Sequence, residues 1–160
     1  MTVTVTVNVI VGIDPGAGGG LACLLGAGVV GAAYPMPSIR AEVLPILSSW
    51  YDMAGGKILA VLEGVHGSPQ MGVTSATTFA RGYGYLECAL DAAAIPTTVV
   101  YPLRWQNALQ CRTGGDKNVT KRAAMKLFPR VRVTHAIADA LLLAEYGRRL
   151  QDDRWQKRKA

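Results

Sequence analysis

The 160-residue sequence predicts an α/β fold: a mixed β-sheet, three antiparallel strands followed by parallel ones, flanked by helices. Three observations predict it. An apolar, β-branched run breaks at a glycine-rich turn and returns twice, as a meander does. Two later strand-like runs alternate with stretches of helical periodicity, as in a sheet extended through crossovers. Half of the residues are hydrophobic, enough for one core. Residues 1–150 are therefore read as a single domain and 151–160 as a basic tail.

The elements follow in order. Residues 3–13 form the first strand, Gly16 to Gly20 a turn, Leu21–Leu25 the second strand and Gly28–Tyr34 the third. "IRAEVLPILSSWYDM" (39–53) has helical spacing, with Pro45 arguing against a regular helix there. Lys57–Leu62 reads as a central strand that ends at Glu63. "VHGSPQMGV" (65–73) is a loop by its glycine and proline content. Ser75 is the expected N-cap of a helix running to about Ala94, with the stripe Ala76, Phe79, Ala80, Tyr83, Leu86 and Leu90. A strand over 97–102 and helices over 103–111, 120–127 and 135–150 complete the chain.

Composition narrows the function classes. A net charge of +6 suits an acidic partner such as nucleic acid. Cys23, Cys88 and Cys111 are widely spaced and form no CxxC pair, which points to reduced thiols in a cytosol-like compartment. The N-terminus alternates Thr and Val, unlike a signal peptide, and no apolar run reaches the roughly 18 residues of a membrane span.

The chemistry lies in the acidic residues. Asp14 ends the first strand inside "VIVGIDPGAGGGLACLL", and Glu63 ends the next long strand. Asp139 sits in "THAIADALLLAEYG" among apolar neighbours. Taken singly, each also fits a turn, a strand end or a helix surface. Together they can converge, and converged carboxylates repel unless a cation binds; oxygen ligands suit Mg²⁺ or Mn²⁺. His135 lies four residues before Asp139, on the same helix face.

At these residues the chain resembles the RuvC-like Holliday junction resolvases of the ribonuclease H-like superfamily. The resemblance rests on "GIDPGAGGGLA" (12–22), "VLEGVHGSPQMGVTSATTFARGYGYLECAL" (61–90), "YPLRWQNAL" (101–109), "DKNVTKRAAMKLFP" (116–129) and "THAIADALLLAEYGRR" (134–149). The last motif is most similar to the phage and organelle branch. The resemblance implies a ribonuclease H-like sheet and a homodimeric, Mg²⁺-dependent endonuclease that resolves four-way DNA junctions. Its place of action would be a bacterial or phage-infected cytosol, or an organelle. It further implies that Asp14, Glu63, His135 and Asp139 hold two ions, with Mn²⁺ able to substitute. In better-known bacterial enzymes the third metal-site residue stands three positions before the final Asp, where this chain has Ala136; His135 is the substitute.

The DNA contacts follow from charge and loop chemistry. Arg112, Lys117, Lys121 and Arg122, with Lys126, Arg130 and Arg132, face a single acid, Asp116, and suit a phosphate-binding rail; a solvated charged face is the plainer alternative. Gly16 would let a DNA backbone come close to Asp14, or serve only as a turn. Gln70, Met71 and Ser75 lead into the long helix, where Met71 would wedge between bases or pack on the protein. Gly82 and Gly84 suggest close packing of that helix, which in a resolvase lies near a twofold axis. The alternatives are a non-cleaving junction-binding protein, or a ribonuclease H-like nuclease acting on other branched DNA or on RNA–DNA hybrids. A kinase- or actin-like ATPase would need a second domain, so no nucleotide cofactor is expected.

Overall fold

The computed structural model describes residues 7–65 and 70–152. Residues 3–6 of the expected first strand, 66–69 of the expected loop and 153–160 of the tail lie outside them. Alternation along each strand decides which side chains meet. The first strand, β1 (Val9–Asp14), sends Val9, Val11 and Ile13 to one face of the sheet and Ile10 to the other. A turn leads to β2 (Gly20–Leu25), and β3 (Val30–Pro35) completes the antiparallel meander. The expected start of the third strand, Gly28, instead turns the chain at φ +80°, a conformation that favours glycine.

A 3₁₀ turn (Arg40–Glu42) opens into α1 (Val43–Met53). Pro45 does not interrupt this helix, because it lies in the first turn, where a backbone N–H has no partner inside the helix anyway. Next come β4 (Ile58–Glu63), α2 (Val73–Ala92) and β5 (Thr97–Val100), with both strands parallel to β1. Helices α3 (Pro102–Ala108), α4 (Asn118–Leu127) and α5 (His135–Gln151) end the described chain. The sheet order is β3-β2-β1-β4-β5, the mixed sheet that the sequence predicts, with β4 interior. Among the described residues no helix is long and apolar enough to cross a membrane.

Two cores result. Helices α1 and α2 cover one face of the sheet around Val11, Ile13, Leu47, Trp50, Leu62 and Leu90. Helix α5, backed by α3 and α4, covers the other around Ile10, Val61, Trp105, Leu141 and Leu142. Helix α5 is buried almost continuously from Ile137 to Gly147, as expected of a helix apolar on every side. Its C-terminal end includes Glu145, whose carboxylate accepts hydrogen bonds from Arg148 (2.7 and 2.9 Å) and Arg149 (2.7 Å). Burial pushes the Glu145 carboxyl up, but the two guanidiniums outweigh it and hold it below its ordinary range.

Two expectations for α2 need correction. Its N-cap is Gly72, and Ser75 is the third helical residue. The N–H groups of the first turn are orphaned at whichever residue the chain turns in, and here the extended backbone of Gly72 makes that turn. The predicted apolar stripe is also only half used. Leu86, Ala89 and Leu90 are buried, whereas no residue before them in α2 is.

The approach of α5 to the sheet depends on absent side chains. A Cβ at Gly12 of β1 would overlap the Ala140 carbonyl oxygen and lie 2.5 Å from the Ala144 backbone nitrogen. A Cβ at Gly20 of β2 would lie 2.6 Å from the Ala136 carbonyl oxygen. Both obstacles are backbone and cannot rotate away. Gly12→Val is therefore expected to destabilise the chain by about 3 kcal/mol or more in urea unfolding. Gly18→Ala is the matched control: a Cβ there meets nothing within 4 Å, so its midpoint should shift by no more than about 0.5 kcal/mol.

Candidate active site

Strand parity and helix approach bring the acids together. Asp14 and Glu63 are the last residues of the parallel neighbours β1 and β4, one step past the Ile13–Leu62 pair. By alternation each shares a face with Ile10 or Val61, the face that α5 covers. Asp139 lies on α5, one residue before the Ala140 carbonyl that presses on Gly12. All three carboxylates are partly buried.

Their environments differ in detail. The Gly16 N–H donates to Asp14 Oδ1 at 3.2 Å, and a Cβ at Gly19 would lie 2.5 Å from the Asp14 carboxyl carbon. Gly19 thus leaves the space that Asp14 occupies. The Trp105 indole Nε1–H donates to Glu63 Oε2 at 2.9 Å. Asp139 Oδ1 is buried and accepts no hydrogen bond from a described residue. Among the described residues, no three His, Cys, Asp or Glu side chains are already gathered at metal-ligand spacing.

The electrostatics report on the same proximity. Burial, aided by the Asp139 charge, pushes Asp14 up to about 6, while the Gly16 N–H and the Lys117 ammonium oppose it. Burial and then the Asp14 charge push Glu63 up to about 7; the Trp105 donor acts in the other direction. Asp139 is also raised by burial, against the Thr120 hydroxyl and the charges of Lys117 and His135. Three partly desolvated carboxylates, with Asp139 raising the other two and one of its oxygens unpartnered among the described residues, are donors of the kind that suits a hard divalent cation. Asp14, Glu63 and Asp139 are the residues that would hold it.

The remaining predicted residues fall into three groups. His135 is exposed, the first residue of α5, one turn before Asp139. Ala136, three positions before Asp139, has its carbonyl against Gly20. Lys117 caps α4, and its charge reaches both Asp14 and Asp139, so it belongs beside the carboxylates. Lys121 lies one turn further, half-buried, and Arg112 is exposed. Arg122 pairs with Asp116 at 3.6 Å, so one cation of the basic segment is partly offset by its single acid. Met71 and Ser75 line a groove of about 670 Å³ with Pro15, Phe79 and Tyr85, and Gln70 is exposed beside it.

Sequence reading missed Trp105, Thr120 and Gly19. A buried indole needs an acceptor, and that was the available signal for Trp105; nothing in the sequence says that the acceptor lies 42 residues away.

The order of the sheet, with carboxylates at the ends of its first and fourth strands and on its last helix, defines a ribonuclease H-like fold. Within that class the chain has the fold of RuvC. Thermus thermophilus RuvC in complex with a Holliday junction substrate matches with a TM-score of 0.64 at 16% identity, over 95% of this chain and 96% of that one. Another structure of T. thermophilus RuvC matches with a TM-score of 0.61 at 19% identity, over 94% and 96%. No family model matches the sequence, and no curated protein does.

The raised carboxyls set the sign of a pH dependence. Asp14 and Glu63 hold protons in the folded chain that the unfolded chain has released, from about pH 4 up to about 6 and 7. Their effect is therefore to favour the fold below about pH 4 and to weaken it as pH rises through about 7. In EDTA the urea midpoint should be higher at pH 5 than at pH 8. Glu63→Gln should remove part of that difference, by on the order of 1–2 kcal/mol at pH 8. A Glu63→Gln chain as steeply pH-dependent as wild type would contradict the assignment.

Proposed function

We propose that this protein is a structure-selective DNA endonuclease that resolves four-way junctions by Mg²⁺-dependent phosphodiester hydrolysis. One observation carries the reading: Asp14 and Glu63, far apart in the chain, end the neighbouring parallel strands β1 and β4 of a RuvC-fold sheet, and α5 brings Asp139, with a buried oxygen to which no described residue donates, to the same end. That RuvC has been seen with a Holliday junction substrate supports the choice of DNA. The three carboxylates would hold the divalent ions, Mg²⁺ or Mn²⁺. The chemistry that such ions supply is polarisation of the scissile phosphate and easier deprotonation of the attacking water.

The chain's own groups do the rest. Trp105 and the Gly16 N–H fix carboxylate oxygens, and Gly16 and Gly19 keep side chains out of the space around Asp14. Lys117 places a positive charge where a phosphate carrying developing charge would lie. Arg112 and Lys121 extend that charge along the surface, with Arg122 sharing its own with Asp116. Gln70, Met71 and Ser75 border the groove at the start of α2 and would meet the junction near its centre. His135, exposed at the mouth of the site, would take or give a proton or add a ligand.

A homodimer through α2 accompanies this reading, since two strands must be cut and a twofold axis supplies two sites. The unburied first half of α2 supports it, with Val73 83% exposed and no atom within 4 Å of a Cβ at Gly82 or Gly84. Among the described residues nothing packs against those glycines, which leaves room for a second copy.

Nicking of a synthetic junction tests the function. Wild type should cut with Mg²⁺ and not with EDTA, and Asp14→Asn should lose about a thousandfold in single-turnover rate, roughly 4 kcal/mol of barrier, while still binding the junction. Binding without cutting would indicate a junction-binding protein, and preference for RNA–DNA hybrid a different nuclease. His135→Ala should lose more than about tenfold; a loss of only about threefold removes His135 from the chemistry. For the dimer, Gly84→Arg should sediment as a monomer with an unchanged circular dichroism spectrum, whereas wild type sediments as a dimer at micromolar concentration.

A further inference from the structure

The Trp105–Glu63 contact has a use beyond packing. Trp105 is completely buried, in the core beneath α5. Its Nε1–H reaches Glu63 Oε2 at 2.9 Å, and no described residue donates to Oε1. The backbone at this point is fixed independently. Glu63 pairs with Val100 of β5, and the Gly64 N–H donates to the Val100 carbonyl at 2.8 Å. A Cβ at Gly64 would lie 2.8 Å from the Tyr101 ring, so that ring packs closely on this glycine. Helix α3 starts directly after, with Pro102 in its first turn, and carries Trp105 back under the end of β4.

We propose that Trp105 is a positioning residue for the divalent-cation site, fixing the Glu63 carboxylate so that Oε2 is engaged and Oε1 is the oxygen left to serve as a donor. The inference rests on the metal-dependent reading above and deepens it. A carboxylate on a free side chain can rotate into several orientations, and a cation must then organise it at a cost. The indole makes that choice beforehand, in a place where no water competes for its proton.

The test uses the full chain and Mg²⁺ alone, without DNA. Stabilisation against urea is measured as a function of Mg²⁺, which reports binding through mass action. Trp105 is replaced by its benzothienyl isostere, which keeps ring shape and loses the N–H, and in parallel by Trp105→Phe. The expected result is a rise of about tenfold or more in the Mg²⁺ concentration for half-maximal stabilisation. A folded isostere within about twofold of wild type overturns the proposal.

A second measurement needs no change at Trp105. In ¹⁵N-labelled wild-type protein, the Trp105 indole resonance should move saturably with Mg²⁺ and should shift in Glu63→Ala. An indole resonance indifferent to both, in a protein that Mg²⁺ does stabilise, overturns the positioning role while leaving the metal site standing. If Mg²⁺ neither stabilises wild type nor moves any resonance near the carboxylates, both readings fall together.

Discussion

Everything at the site depends on how closely α5 can lie on β1 and β2. A helix with ordinary side chains beneath it sits about 10 Å from a sheet. Here two glycines replace the side chains that would hold it off, and carbonyls of Ala136 and Ala140 rest on strand backbone. That contact carries Asp139 down to the level of Asp14. It also explains the helix's composition, because a rod pressed on a sheet and covered by two further helices has no wet side on which to place polar residues. Asp139 and Glu145 are the exceptions, and only Glu145 has both carboxylate oxygens paired within the described residues.

The acidic cluster is a local conflict held by the rest of the fold. Burial opposes all three negative charges and the neighbouring acids oppose those of Asp14 and Glu63, while among the described residues Gly16, Trp105, Thr120, Lys117 and His135 counter that trend. Compare Glu145, more deeply buried on the same helix, where two guanidiniums close both oxygens and the charge is comfortable. Glu145 is satisfied by its own chain; Asp139 Oδ1 is not. Folds keep such unsatisfied groups where function requires them, and the surrounding core supplies the stability that they give up.

Much of this was legible in the sequence. The alternation in "VIVGID" already places Asp14 on the opposite face from Val11 and Ile13, and the meander and crossovers place Glu63 beside it. The apolar neighbours of Asp139 mark a carboxylate inside the protein. What was not legible depends on meetings between distant segments. Ser75 is a good N-cap by residue type, yet the turn falls at Gly72. Lys117 reads as one of a row of cations, and only the packing of α4 against α5 brings its charge to the acids. Gly19 is one glycine among several until Asp14 is seen to fill the space beside it.

The order of these parts along the chain has a kinetic side. The sheet and its first covering layer are complete by residue 100, but most of one face of the sheet stays uncovered until α5 arrives. During synthesis from the N-terminus, Asp14 and Glu63 therefore wait on an open surface, and the residue that completes the set comes with the element that seals the core. Closure of the fold and assembly of the site are one event. A chain halted before α5 has neither a finished interior nor a third carboxylate.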